Sequence, residues 1–172
     1  MVLIITSILA LVVASFAVVG WHGAPWVTTR KSDIDRFLRL TNIKPGHIFY
    51  ELGSGDGRLV CAAAEAGAVA YGFEIALIPY LLAHVRRLRS PARERIHFRF
   101  KSFWKISFKQ ADIVYMFLLP KIYENLKSKF ENELQPSAVV ITYAWPIKGW
   151  EAVEINEKEK ALKLYKYQIV KK

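Results

Sequence analysis

The segment YELGSGDGRLV, Tyr50 to Val60, carries three glycines at alternate positions, Gly53, Gly55 and Gly57, the first two with a carboxylate on each side, Glu51 and Asp56. Alternate glycines in a loop let a backbone approach a ligand closely. A phosphate-binding loop would close on Gly-Lys-Ser/Thr, and no such triplet follows. A dinucleotide fingerprint, G-x-G-x-x-G, would place its third glycine at Arg58, where a bulky cation opposes close packing of helix on strand. Neither phosphate nor pyrophosphate is therefore the favoured ligand.

A further pattern narrows the choice. Glu51 stands next to the end of the apolar run HIFYEL just before the loop, and Glu74 closes the next such run, AVAYGFE, 17 residues after Gly57. This resembles the S-adenosylmethionine loop of class I methyltransferases, in which one acid ends the first strand before G-x-G-x-G and a second acid ends the next strand. The chemistry suits that ligand. It has no phosphates, so the loop needs no anion cradle, and glycines admit its nucleoside and amino-acid portions. Glu74 can accept hydrogen bonds from both ribose hydroxyls, and a carboxylate beside the loop offsets the sulfonium and ammonium charges. A glycine-rich turn without a ligand is the plain alternative.

The elements around the loop must hold it at a sheet edge. SDIDRFLRLTNI predicts a helix capped by Ser32, with Ile34, Phe37, Leu38 and Leu40 as its apolar stripe. HIFYEL predicts a buried strand, RLVCAAAEAG a helix ended by Gly67, and AVAYGFE a second strand. LIPYLLAHVRRLR reads as a helix with basic last turns, RIHFRF as a third strand and ADIVYMFLL as a fourth. PKIYENLKSKFENELQ repeats Ile122, Leu126, Phe130 and Leu134 every four residues and reads as a helix; SAVVITYAW follows as a fifth strand. The tail holds two strands about NEKEKA, an antiparallel hairpin on the sheet edge. Strands alternating with helices predict an α/β fold with a mostly parallel sheet, whose ligands bind at the carboxyl ends of the strands.

The resemblance extends beyond the loop. PWVTT, FLRLTNIKPGHIFYELGSGDGRLV, FEI and ADIVYMFLLPKIYENLKSKFENELQPSAVVITYAWPIKGW are together similar to a branch of small, membrane-anchored class I methyltransferases. That branch includes the lysine methyltransferases of the ATP synthase c subunit and of the adenine nucleotide translocase. The resemblance implies a Rossmann-like seven-strand sheet, S-adenosylmethionine as cofactor, and Glu51, Gly53, Ser54, Gly55, Gly57, Glu74, Ser102 and Phe103 around it. Two departures stand out: VTT (residues 27–29) replaces a Val-Pro-Thr pattern, and Ser102 replaces the carboxylate that usually faces the adenine amino group.

The N-terminus asks a separate question. MVLIITSILALVVASFAVVGW has no charge, and the first charged side chain is Arg30. At about 1.5 Å per residue, Val2 to Val19 is long enough to cross roughly 30 Å of hydrocarbon. Trp21 and Trp26 follow where aromatic rings suit an interface. A cleaved signal peptide would want a basic start, which is lacking, and a buried core helix would want a polar face and caps. An anchor over residues 1–21, a linker over 22–31 and a catalytic domain over 32–172 are expected. Membrane attachment would run through residues 2–21. Arg30 and Lys31 after the run put the domain on the cytoplasmic side of a single-pass protein.

The formal charge of +10 suits an anionic partner such as a membrane surface, a nucleic acid or an acidic protein. The single cysteine, Cys61, excludes an internal disulfide and a multi-cysteine metal site, and reads as a small core residue. No metal is expected. Methyl transfer to nitrogen needs alignment and a way to lose the amine's proton, not a catalytic cluster. Phe117, Leu118 and Pro120 of FLLP, and Trp145 and Trp150 of YAWPIKGW, are the substrate-channel candidates, the aromatics also serving as plain packing. FLLP lacks the Asn/Asp-Pro-Pro-Tyr/Phe pattern of base-methylating enzymes, which counts against a nucleic acid. The expected activity is S-adenosylmethionine-dependent protein-lysine methylation near a membrane. Alternatives are a small-molecule or lipid methyltransferase and, from another class, an inactive membrane-bound scaffold or an RNA-binding module.

Overall fold

The computed structural model describes Thr6 and residues 27–170. The anchor expected over residues 1–21, together with Trp21, His22 and Trp26, lies outside them apart from Thr6. Among the described residues no helix is long and apolar enough to cross a membrane.

The chain forms α1 (Lys31–Thr41), β1 (Ile48–Leu52), α2 (Arg58–Glu65), β2 (Val69–Glu74), α3 (Leu77–Arg89), β3 (Ile96–Phe100), β4 (Ile113–Met116), α4 (Tyr123–Glu133), β5 (Val139–Tyr143), β6 (Glu154–Asn156) and β7 (Leu164–Gln168). The sheet runs β3-β2-β1-β4-β5-β7-β6. β1 to β5 are parallel, and β7 enters antiparallel between β5 and β6. This is the mostly parallel α/β sheet, with an antiparallel C-terminal pair, expected from the strand–helix alternation.

Side-chain alternation on the strands feeds two cores. Phe49, Ala70, Phe98, Tyr115 and Ile141 pack with Phe37 and Leu40 of α1, with α2, and with Ala83 of α3. Tyr50, Leu52, Phe73, Val114, Met116 and Val140 pack on the other face with Leu126 and Phe130 of α4. The central strand β4 is buried throughout, as its unbroken apolar run requires, but it ends at Met116 and is shorter than ADIVYMFLL. Phe117 to Leu119 leave the sheet, and Pro120 opens a 3-10 turn (Pro120–Ile122) ahead of α4. Gly67, at φ +113°, follows the end of α2 as expected.

Helix α1 departs from the apolar-stripe expectation. It starts at Lys31, so Ser32 lies inside it and is not its cap; the Arg30 carbonyl accepts the N–H groups of Asp33 and Ile34. Asp33 and Arg36 are each only 2% exposed, whereas Ile34 and Leu38 are half-buried. The buried pair is fully engaged. Arg36 donates to Asp33 Oδ1, to the Leu162 carbonyl, and to both the side chain and the carbonyl of Asn156; Asp33 Oδ2 accepts from the Tyr143 hydroxyl at 2.8 Å. A buried ion pair survives only when its remaining donors and acceptors are met, and here they clamp α1 to β5, β6 and the turn before β7.

Candidate active site

The strand order reverses beside β1, whose neighbours are β2 and β4. Carboxyl ends of strands at such a reversal leave a crevice for ligands. Glu51 lies on β1 one residue before its end, Glu74 ends β2, and the glycine loop spans the edge between β1 and α2.

The loop is held by its backbone. Gly53 and Ser54 donate to the Phe73 carbonyl at 2.9 and 3.1 Å, and Gly57 donates to Ser54 at 2.9 Å. Gly55 donates to Glu74 Oε2 at 2.8 Å, while Glu74 Oε1 accepts from Ile75 and Ala76, each at 2.8 Å. All three loop glycines have positive φ, and Gly57 also has no room for a side chain: a Cβ there would lie 2.2 Å from the Phe98 ring and 3.0 Å from Ala83. Gly57 thus performs the close packing that Arg58 would have spoiled. Gly72 of β2 shows the same constraint, because a Cβ would lie 2.7 Å from Ser54 Oγ and 2.8 Å from Phe98.

Glu51 is 5% exposed, and its Oε2 has no hydrogen-bond partner. Burial, with the neighbouring charges of Asp56 and Glu74, holds its carboxyl well above the usual range. The Val60 N–H and the Arg58 charge act the other way without overcoming this, and a buried carboxylate so poorly compensated is costly, so this corner favours a ligand that brings positive charge. S-adenosylmethionine, cationic and phosphate-free, fits that electrostatics and the glycine-lined approach. Tyr115 of β4 stands opposite Glu51 in register; its buried hydroxyl has a strongly raised pKa, through burial and then the charge of Glu51.

Arg58 is committed to partners of its own. It grips Asp56 through Nε and Nη2 and donates Nη1 to the Thr29 carbonyl at 3.0 Å, while Arg86 of α3 also reaches Asp56 Oδ2 at 2.8 Å. Burial raises the Asp56 pKa, yet the hydrogen bonds and charges of Arg58 and Arg86 overcome this and hold it below the ordinary range. Thr29 is buried, and its side chain reaches toward Tyr115. The VTT segment is therefore fixed to the loop at its last residue.

The remaining expected residues are distributed around this edge. Ser54 is buried in the loop with an unpartnered Oγ. Ser102 lies beyond β3; its Oγ accepts from the Trp104 N–H and begins a 3-10 turn, and the adjacent Phe103 packs on the Tyr50 and Phe73 core. Leu118 is buried against Gly53, at 3.3 Å from where a Cβ would stand. Phe117 packs edge-on to Tyr143, and Pro120 is exposed. Trp145 follows β5 and is 47% exposed. Trp150 is instead committed to packing, against Phe130 and Tyr167, with Nε1 donated to Glu131. Cys61 is a core residue, its thiol pushed up to about 12 by burial. Among the described residues no cluster suited to a metal occurs.

Tyr115, Gly72 and Arg86 carry no signal of a role in the sequence alone, and Thr29 is visible there only as the end of the VTT segment. Asp56 is visible within the loop itself, but its two arginine partners come from separate helices.

Comparison with known proteins agrees with this geometry. Residues 51–154 match the model of the ANTKMT methyltransferase domain. A protein-lysine N-methyltransferase of Saccharolobus islandicus is 33% identical over 139 residues, covering 78% of this chain and 85% of the relative. The ATP synthase c-subunit lysine N-methyltransferase of Xenopus laevis is 33% identical over 128 residues, 73% of this chain but 55% of the relative. The chain thus spans about half the length of that vertebrate protein. Among solved structures, an RNA methyltransferase of Salinibacter ruber with bound S-adenosyl-L-homocysteine superposes with a TM-score of 0.79 at 26% identity, covering 83% of this chain and 94% of that one. The chain belongs to the ANTKMT methyltransferase family, a branch of the S-adenosylmethionine-dependent methyltransferases of class I fold.

Proposed function

We propose that this enzyme transfers a methyl group from S-adenosylmethionine to a lysine side chain of a protein at or in a membrane. The observation that carries the reading is the buried Glu51 carboxyl, whose Oε2 lacks a hydrogen-bond partner, beside a glycine loop tied to Glu74 through the Gly55 N–H. The lysine target is supported by the relatives, which are named for protein lysines, for the c subunit of ATP synthase and for the adenine nucleotide translocase.

S-adenosylmethionine, when bound, supplies a methyl carbon on a sulfonium; a neutral lysine amine takes it, S-adenosylhomocysteine is left, and one proton is released. Gly53, Ser54, Gly55 and Gly57 admit the nucleoside and amino-acid portions. Glu51 would offset the positive charge and Glu74 would accept from the ribose, with Ser102 and Phe103 on the adenine side. Phe117, Leu118, Pro120 and Trp145 form the opening through which the apolar lysine stem enters and water is excluded. Alignment supplies the rate, so no further acid or base is assigned.

Residues 2–21 are assigned as a single transmembrane anchor with the domain cytoplasmic, supported by their uncharged run and by Arg30 and Lys31 after it. A tether raises the effective concentration toward membrane-embedded targets. The testing experiment incubates the purified chain and radioactive methyl donor with a membrane fraction from cells lacking it. Label in a protein band, recovered as methyllysine, is the expected result.

An RNA substrate is the second reading, favoured by the net charge of +10 and by the name of the Salinibacter protein. Label confined to RNA in the same experiment establishes it over the lysine reading.

A further inference from the structure

Helix α3 is amphipathic in the wrong direction for a helix of a closed core. Only Pro79 and Ala83 are buried, whereas Leu77, Leu81, Leu82, Val85 and Leu88 are all exposed. At about 100° per residue these five share one outward stripe, opposite the buried edge. Isolated exposed leucines need no explanation, but a contiguous stripe marks an interaction surface. The stripe continues into a groove against α1 and α2 that Ile34, Leu38, Leu82 and Val85 line.

The stretch that ends α3 and runs on through β3 is one-sidedly basic. Residues 86–101 hold Arg86, Arg87, Arg89, Arg93, Arg95, Arg99 and Lys101 against a single acid, Glu94. Across the groove stand Asp35 and Glu65, the latter accepting from Ser90. Arg86 is committed to Asp56, while Arg89 is an exposed cation on the groove wall.

We propose that the outward face of α3 rests on an anionic lipid surface, leucines in the acyl boundary and arginines at the headgroups. Charge complementarity selects this occupant. A second copy would bring arginine rows together, and a nucleic acid would offer no apolar layer to five large aliphatic side chains. An anionic bilayer offers both chemistries at once. This contact goes beyond an anchor at residues 2–21: the anchor holds the chain, and α3 sets its orientation. Because α3 starts three residues after Glu74, docking brings the rim of the glycine loop to the bilayer.

The test uses the full chain carrying Cys61→Ala and a fluorophore at Leu81→Cys, with Lys158→Cys in the β6–β7 turn as reference. It is mixed with brominated vesicles of phosphatidylcholine alone or with phosphatidylglycerol. Quenching of the Leu81 probe by about twofold or more on anionic vesicles only is expected, with the Lys158 probe unaffected. Arg89→Glu combined with Arg93→Glu abolishes it. An unquenched Leu81 probe in a chain that floats with the vesicles overturns the proposal, as does equal quenching on neutral lipid. Shielding of the probe from iodide in lipid-free detergent also overturns it, in favour of the chain's own N-terminal segment, or of a second copy where shielding grows with concentration. Flotation with anionic vesicles alone supports the α3 face and removes the anchor; flotation with neither removes both.

Discussion

The Gly55 N–H donates to Glu74 Oε2 at 2.8 Å, so the carboxylate assigned to the ribose also ties the glycine loop to β2. Its other oxygen already accepts from Ile75 and Ala76. A carboxylate has about four acceptor positions, so roughly one is open while Gly55 remains bound. Glu74→Ala therefore removes a ligand contact and releases the loop together. Affinity for S-adenosylmethionine, measured by calorimetry, falls more than about tenfold, or 1.4 kcal/mol. Glu74→Gln keeps one acceptor and loses less. No binding by the unmodified chain would remove the cofactor assignment of the loop.

Glu51 predicts a pH dependence. Its carboxyl is held above the ordinary range by burial, then by Asp56 and Glu74. The folded chain thus retains a proton that the unfolded chain gives up, and its stability contribution falls as pH rises from the usual carboxylate range toward the folded pKa. Glu51→Gln removes that loss, so the ligand-free variant melts higher than the parent at neutral pH. A cationic ligand prefers the ionised group, so affinity for S-adenosylmethionine rises with pH over the same window. Glu51→Gln binds more weakly and with a flatter profile. A parallel profile in parent and variant, from calorimetry in several buffers, would assign the dependence to another group.

Gly72 contributes by lacking a side chain. The Cβ of Gly72→Ala would stand 2.7 Å from Ser54 Oγ and 2.8 Å from Phe98 Cδ1, one of them in the loop and the other on β3. Overpacking of this kind costs about 1–3 kcal/mol, read from urea denaturation. The displaced loop should also bind ligand less well. An unchanged unfolding midpoint would mean that Ser54 and Phe98 yield freely.

What can be read from the sequence is local. Glu51, the loop glycines and Glu74 announce themselves because strand, turn and acid follow one another within a short stretch. The basic end of α3 and the Gly67 stop are local for the same reason. The α1 stripe misleads because Asp33 and Arg36 look solvent-facing in a helix; their partners Tyr143 and Asn156 lie 110 and 120 residues away. Gly72 reads as an ordinary strand residue until β3 brings Phe98 against it. Arg58 reads only as an obstacle to a dinucleotide, since nothing local says that it reaches Thr29.

Arg58 predicts a separable effect on the entry segment. Its Nη1 holds the Thr29 carbonyl, whereas Asp56 is also held by Arg86. Arg58→Ala should leave Asp56 paired yet free residues 27–30, seen as faster amide exchange over Thr29 to Lys31. Global stability falls by about 1–2 kcal/mol, as for loss of a charged hydrogen bond. Arg58→Lys, lacking the fork, restores the pairing but not both contacts. Unchanged exchange in Arg58→Ala would show that Thr29 is held by its burial near Tyr115 alone.

Trp145 and Trp150 separate substrate contact from packing. Both lie in the loop after β5, but Trp145 is about half exposed, and Thr142 holds its backbone carbonyl at 2.6 Å. Trp150 packs on Phe130 and Tyr167 and bonds Glu131. Trp145→Ala should alter stability by no more than about 0.5 kcal/mol and leave cofactor affinity unchanged. Its kcat/KM for the protein substrate should fall about tenfold, the loss of roughly 1.4 kcal/mol of transition-state binding. Trp150→Ala should do the reverse: a half-buried indole removed costs about 2–3 kcal/mol of stability, with KM unmoved in the fraction that stays folded. Denaturation and steady-state kinetics on the two variants decide the matter. If Trp145→Ala methylates normally, the lysine enters past Phe117 and Pro120 without it, and the channel narrows to the residues that follow β4.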